Sequence, residues 1–406
     1  MLFLLSVPLF AQGLSPYTRI GIGDLEYYNT ARMLGMGQLG TSLAFKHSLS
    51  IINPAGWYRL NTTRLETGVD YNGNFISDNS GSGYYGDARF SGFTFSFPVS
   101  TTYGVGVAMG IVPYSRVNYD LSQTPIEFSQ SSDMYTISYK GTGGLSKTFI
   151  GSSYKLPFDL VIGATLDYYF GDFNFTSVVT PSNPNDISTT FERTYRSGGL
   201  GSTFGIISPD IAPLFSSDKI ADFRVGLSVN YISNLKTDTL LTSSSSVRTD
   251  TMASGSVLMK IPPRISAGFS FVFNQNYLLS FDIASQAWKN FAFNGAETGN
   301  LRNASKISAG LEYEPTRGVG SSFWEQIVWR AGLSYDQTQY VINGSGINQF
   351  SVAGGFSLPL SYANTLDIGL QYSMRGSSDF GVVKEHTIKL DLGLSLGEIW
   401  FIRTER

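Results

Sequence analysis

The sequence predicts an all-β protein: a transmembrane antiparallel β-barrel of about fourteen strands with an N-terminal hatch, or plug, of short helices and loops. Three observations carry that prediction. From Thr63 onward, large apolar residues alternate with small or polar ones, as strands with two unlike faces require. The alternating runs are about 9–11 residues long, enough to cross a bilayer, whereas strands of a soluble sandwich average about 5–6. Charge is scarce, 15% of residues against 42% hydrophobic, where a soluble domain carries about 25%.

The chain opens on Met1–Ala11, an apolar run ending in a small residue before Gln12. It resembles the core and cleavage site of a secretory signal, truncated so that the basic leader is missing. No other apolar run approaches the ~18 residues of a spanning helix. Residues 12–61 alternate poorly and carry Gly21, Gly23, Gly35, Gly37 and Gly40, which favours turns and close packing over long helices. They are expected to form the hatch, and residues 62–406 the barrel. The boundary is Ile51–Trp57, after which the period changes. Within it, Asn53 is suited to cap a helical turn that begins with Pro54 and Ala55.

The wall repeats one pattern. Tyr103, Val105, Val107, Met109 and Ile111 share one face, while the other is nearly bare: Gly104, Gly106, Ala108 and Gly110. Strands are expected near 63–72, 87–98, 102–112, 133–150, 158–171, 187–206, 222–232, 263–273, 277–286, 303–313, 325–336, 349–359, 364–374 and 385–396. Ser254–Ile261 is also strand-like. It is assigned to a long outer hairpin over 233–262, because bacterial single-chain barrels have even strand counts. Tyrosines 71, 231, 313, 335 and 372 end several apolar faces, as an aromatic girdle would. Short links at 98–101, 274–276 and 359–364 read as periplasmic turns. Polar stretches at 113–132, 172–190, 233–262, 337–348 and 375–384 read as outer loops. The links at 208–221 and 315–325 are long for periplasmic turns, and are expected to carry small helices or to contact a partner.

Charges fall on the face opposite the apolar one. Asp167, Arg224, Arg264, Asp282, Arg330, Asp367, Lys389 and Asp391 do so, as do Arg64, Glu66, Asp70, Lys306 and Glu312. In lipid they would be costly, so they are expected to line the lumen. Both signs are present, which fits a plugged, internally paired lumen better than an ion filter. Arg19, Asp24, Glu26, Arg32 and Lys46 supply plug charges to meet them.

Other functions find little support. Net charge is −3 and no basic block occurs, which argues against nucleic acid. The chain has no Cys and two His, so a metal site or a cofactor is not expected. Gly81–Gly86 matches a dinucleotide fingerprint without its strand-and-helix context. Gly393–Gly397 matches a nucleophile elbow around Ser395, but it ends an alternating strand and has no evident triad partner, so no enzyme is expected.

Ala-Arg-Met-Leu-Gly-Met-Gly (31–37), then Asn-Pro-Ala-Gly (53–56), then amphipathic strands resembles the FadL/TodX family of outer-membrane transporters for hydrophobic compounds. The opening Ser15–Leu25 and the closing Gly397–Arg403 resemble its Bacteroidetes-type branch. The resemblance implies a bacterial outer-membrane location and a fourteen-stranded barrel. It also implies a hatch built on Asn53, Pro54 and Ala55 with the glycine motif Arg32, Gly35, Met36 and Gly37, and lateral exit near a kinked third strand. Lys46 and His47 depart from the small or acidic residues expected before Asn-Pro-Ala.

Two functions follow as expectations. The first is passive, hatch-gated transport of a lipophilic small molecule of fatty-acid or aromatic type, with Phe45, Leu49, Ile51 and Trp57 as candidate lining. The second is a non-transporting barrel, embedded in outer-membrane lipid, that serves as a protein partner in a secretion or assembly complex.

Overall fold

The computed structural model describes residues 15–27, 30–38, 40–77, 81–127, 134–183, 185–215, 217–316, 322–361, 363–377 and 383–398. The expected signal at 1–11 and most of the closing 397–403 motif lie outside them. Fourteen strands form one closed antiparallel barrel. They are β1 (Thr63–Ser77), β2 (Ser82–Ser100), β3 (Val105–Pro113, then Ser115–Glu127), β4 (Met134–Gly143, then Ser146–Lys155), β5 (Val161–Pro181), β6 (Thr189–Ile207) and β7 (Ile220–Ile232, then Leu235–Ser245). The second half comprises β8 (Thr249–Lys260, then Arg264–Phe273), β9 (Tyr277–Gln286), β10 (Ala304–Tyr313), β11 (Val328–Ile342), β12 (Ser345–Pro359), β13 (Thr365–Arg375) and β14 (Lys384–Glu398). The barrel closes where β14 pairs with β1, from Thr63 opposite Glu398 to Ser77 opposite Lys384.

Period-two alternation becomes an apolar exterior and a polar interior. Ile265, Phe281, Ile283, Ile307, Leu333 and Tyr335 face outward and are exposed, while Asp282, Lys306, Ser308 and Ser334 on the same strands are buried. Among the described residues no helix is long and apolar enough to cross a membrane. An apolar band built from strands is the alternative, because a closed sheet leaves no unpaired edge.

Several stretches expected as outer loops are strand instead. Residues 115–127, 172–181 and 337–342 extend β3, β5 and β11, and the hairpin expected over 233–262 is the paired outer part of β7 and β8. Beyond bilayer length both faces of a strand are wet. Asp172 and Arg196, for example, are exposed and pair across β5 and β6 at 3.2 Å, so alternation fades as a signal. The two long links do carry short 3-10 helices, Ala212–Phe215 and Phe323–Gln326.

The third strand is bent. Val105–Pro113 pairs with β2, but Ser115–Glu127 leaves it and, among the described residues, pairs only with β4 and with a two-residue strand, Asp24–Leu25. The bend at Tyr114 lies against Gly143 and Gly144, with φ of +117° and +147°. A Cβ on either would strike a backbone carbonyl, Asp172 O or Ser115 O, so only glycine lets the two strands bend together. The kink that the resemblance implies for the third strand is therefore present, and between the outer halves of β2 and β3 the wall has no described strand ladder.

Candidate functional site

Residues 15–60 contact inward-facing groups of strands all round the barrel. Beside the bend in β3, the amide of Ser15 donates to Asn118 O (3.0 Å) and that of Glu26 to Tyr114 O (3.0 Å). The segment thus lines the edge that β2 leaves open. Helix α1 (Ala31–Gly35) starts at Thr30, whose hydroxyl accepts from the Met33 amide at 3.3 Å. Its residues Met33 and Leu34 pack with Met36, Leu43 and Phe45. Gly37 has φ +84° and sits where a Cβ would lie 2.9 Å from Leu333 O.

The Asn53-Pro54-Ala55 motif is a cap and a clamp together. Asn53 is fully buried, and its Oδ1 accepts from the Ala55 amide at 3.0 Å. Its Nδ2 donates to Thr41 O (2.6 Å), Ile206 O on β6 (3.2 Å) and Leu227 O on β7 (3.4 Å). One amide side chain therefore ties a 3-10 turn (Pro54–Arg59) to two strands of the wall.

Wall glycines make this approach possible. An added Cβ at Gly106 would strike Trp57 O, at Gly163 Ala55 N, at Gly205 Asn53 Oδ1, at Gly226 Thr41 O, at Gly310 Met36 O and at Gly332 Gly37 N. The bare strand face noticed in the sequence at Gly104–Gly110 is one arc of this seat. The remaining arcs had no local signal, because each glycine's partner is far away in the chain.

Ion pairs fasten the segment at both ends of the lumen. Toward the end where β1 begins, Glu312 holds Arg32 of the segment and Arg330 of β11 (2.6 Å); Arg330 also reaches Asp367 at 3.5 Å. Toward the other end, Arg375 joins Asp24 (2.7 Å) to Glu385 (2.6 Å), and Arg89 joins Glu26 (2.5 Å) to Asp70 (2.8 Å). Arg89, Arg375 and Glu385 were not singled out in the sequence. Arg89 shares an inward face with its register partner Asp70, and that parity was the available signal.

The other expected lumen charges are distributed around this frame. Asp282 accepts from the Thr41 amide at 2.7 Å. Asp167 accepts from Thr165 (2.7 Å) and Thr203 (2.8 Å). Arg224 pairs with Asp222 at 2.6 Å, and Lys389 lies 3.9 Å from Glu26. The Arg264 guanidinium stacks over Tyr27, 4.4 Å from the ring centre. Asp391 is buried opposite Asp70, and neither of its carboxylate oxygens has a hydrogen bond.

The four candidate lining residues are not brought together. Phe45 packs in the α1 cluster. Leu49 and Trp57 pack with Leu60, Ala108, Val112 and Phe149, and Ile51 lies against that group. A larger apolar cluster, which includes Tyr114, Tyr119, Tyr169, Phe173, Trp288 and Phe291, fills the other end of the lumen. Ser395 is buried and engaged by Arg64 (3.0 Å) and Glu66 (3.2 Å). Among the described residues no group of three or more His, Asp or Glu could hold a metal ion.

Two carboxylates of the segment make its docking depend on pH. Burial pushes Glu26 up, but Arg89 and Lys389 outweigh it and hold the carboxyl at about 2, below its ordinary 4.5. Asp24 is also held low: burial again opposes ionisation, and Arg375 outweighs it. A depressed pKa stabilises the docked state above the free value, and that contribution is lost as pH falls through the folded value. Protease access to residues 15–26 is therefore expected to be lowest at neutral pH and to rise as pH falls from 4.5 toward 2. Access unchanged across that window would refute the assignment.

Fold and lumen together define a closed fourteen-stranded antiparallel β-barrel with its N-terminal segment held inside. Solved structures share this fold. The Ralstonia pickettii toluene transporter TbuX aligns with TM-score 0.59 and 13% identity, covering 92% of this chain and 99% of that one. The Pseudomonas putida toluene transporter TodX gives 0.60 and 15%, over 94% and 100%. A Pseudomonas aeruginosa FadL homologue gives 0.62 and 13%, over 95% and 99%. No curated protein matches the chain. The family model described as BamG matches residues 1–405, so the chain belongs to the BamG family.

Proposed function

We propose that this chain is an outer-membrane barrel, permanently plugged by residues 12–61, that acts as a partner subunit of an envelope secretion or assembly complex. The observation that carries this reading is the fastening of the plug. Ion pairs of Arg32, Glu26 and Asp24 with wall residues hold it at both ends of the lumen, and its backbone rests on wall glycines between them. A gate must let go of its frame, and here that means separating several ion pairs and lifting the backbone off its glycine seat together. A fixed plug leaves the outer wall and the rim as working surfaces. The rim where β1 begins, which this reading places in the periplasm, carries exposed Phe158, Leu214 and Trp324 on its connections. The family name, BamG, leans the same way, and the Ser15–Leu25 motif supports a Bacteroidetes-type branch.

A second reading, passive transport of a fatty-acid or aromatic type of compound, is favoured by the break between β2 and β3. Residues of the N-terminal segment line the bent half of β3 there, where the side chains of Arg116 and Asp87 pair across the break without a strand ladder. The apolar cluster containing Tyr114 lies directly behind it. Phe45, Leu49, Ile51 and Trp57 would then line the path once their two clusters separate.

Recovery of the tagged full chain from outer membranes decides between the readings. A stoichiometric protein partner is expected. A barrel recovered alone with a bound lipophile, and loss of hydrocarbon or fatty-acid uptake on deletion, would overturn the first reading in favour of the second.

A further inference from the structure

At the end of the barrel away from the start of β1, the wall finishes on one side in a strand with an open edge. β8 pairs with β9 only from Arg264, opposite Gln286, inward. Farther out, Thr249–Lys260 is held on one side by β7. Its other side meets a two-residue strand, Ala292–Phe293, at Met259 and Lys260. Among the described residues no strand pairs with that side over 249–257. The Asn294 amide donates to Leu258 O at 2.9 Å, so Leu258 turns its peptide groups toward the open side. By the two-residue repeat of a strand, Ser256 and Ser254 do the same.

Natural sheets blunt such edges with proline, with charge or by keeping them short. Between residues 251 and 259 there is neither proline nor charge. A bulge between the pairs Leu241–Ala253 and Thr242–Thr251 limits the regular edge to residues 253–258. Residues 251–256 are exposed, and 253–256 carry small side chains, Ala-Ser-Gly-Ser, so another backbone can approach closely. Met252 and Leu258 flank them, 59% and 54% exposed. An added polypeptide strand fits this pattern: main-chain bonds supply the hold, and the apolar side chains at either end supply selectivity. Ala292–Phe293 makes the first step of that ladder from within the chain. A second copy is not the occupant. Two copies upright in one membrane are related by a two-fold along its normal, and their β8 edges would cross at about twice the strand tilt, roughly 70–90°.

We propose that residues 253–258 form a docking edge on the cell-surface side, completed by an extended, uncharged segment of a partner protein with apolar residues to meet Met252 and Leu258. The proposal rests on the docking reading, and it sets a contact at the opposite end from the periplasmic rim.

Hydrogen exchange on the full chain, in outer-membrane vesicles and after purification in detergent, tests whether the edge is covered. The amides of Ser254, Ser256 and Leu258 are expected to exchange about tenfold or more slowly in the vesicles. Equal rates in the two preparations would overturn the proposal. Ser256→Pro removes a donor that the barrel's own ladder does not use, and its ring blocks strand addition. Ser256→Ala is the control, the heat-dependent gel shift reports folding, and Ser256→Lys replaces the proline variant if that fails to fold. A protein partner recovered with wild type and Ser256→Ala, and lost together with the slowed exchange in Ser256→Pro, supports the edge. Slowed exchange that survives Ser256→Pro overturns it by assigning the cover to surface lipid or glycan, and recovery as a homodimer alone overturns it too. A partner retained by every variant overturns the edge but leaves the docking reading intact, whereas no partner with any of them overturns both.

Discussion

Replacing Glu312 with Gln is expected to destabilise the folded barrel by about 3–5 kcal/mol. Glu312 is 1% exposed and is the one carboxylate shared by Arg32 and Arg330. The amide removes the carboxylate in direct contact with Arg32, while Arg330 keeps only the longer contact to Asp367 at 3.5 Å. The loss should appear as a lower temperature of the gel-mobility transition that separates folded from unfolded barrel. Adding Arg32→Met to the variant should restore part of the stability, because it removes the stranded charge. An unshifted transition, or no recovery in the double variant, would mean that the ion pairs do not fasten the plug.

Gly205→Val should have an effect of similar size by a different route. The new side chain would occupy the space of Asn53 Oδ1 and crowd Pro54 Cδ, so the Asn-Pro-Ala turn must move off β6. Overpacking costs about 1–3 kcal/mol, and each buried group left without its hydrogen bond costs about 1–3 kcal/mol more. A single cysteine placed at Ser50 should then become reactive to a water-soluble maleimide. Gly299→Val is the matched control, since a Cβ there meets nothing within 4 Å. Equal labelling in the two variants would rule out the glycine seat as the support of the turn.

Much of the wall was legible in the sequence because its physics is local. The strand expected at 277–286 spans Tyr277–Gln286, and the one expected at 364–374 spans Thr365–Arg375. Each has one face in the apolar exterior and one in the polar lumen, which is what period two encodes. Strand ends were misjudged where that contrast stops, as in Ser115–Glu127. The site was legible only in part. Asn53 could be recognised as a cap from its two neighbours, but its bonds to Ile206 and Leu227 join residues 153 and 174 positions away. Arg375 and Asp24 are 351 apart, and no spacing rule connects them. The charges of the lumen could be assigned to a face but not to partners. The four apolar residues Phe45, Leu49, Ile51 and Trp57 could be named as candidate lining, but not assigned to the separate clusters in which they pack.

The glycine seat also bears on assembly. β14 closes on β1, so the ladder that completes the ring joins strands far apart in the sequence. Contacts that join the two extremes of a chain form late, since the longest loops must close before they are rewarded. On the plugged reading proposed above, the N-terminal segment would act as a mandrel for the hoop, since its backbone lies against the wall at Gly226, Gly310 and Gly332. A chain lacking residues 12–61 would have to close a ring around a void bordered by unpaired lumen charges, so the plug is expected to be needed for making the barrel as well as for sealing it.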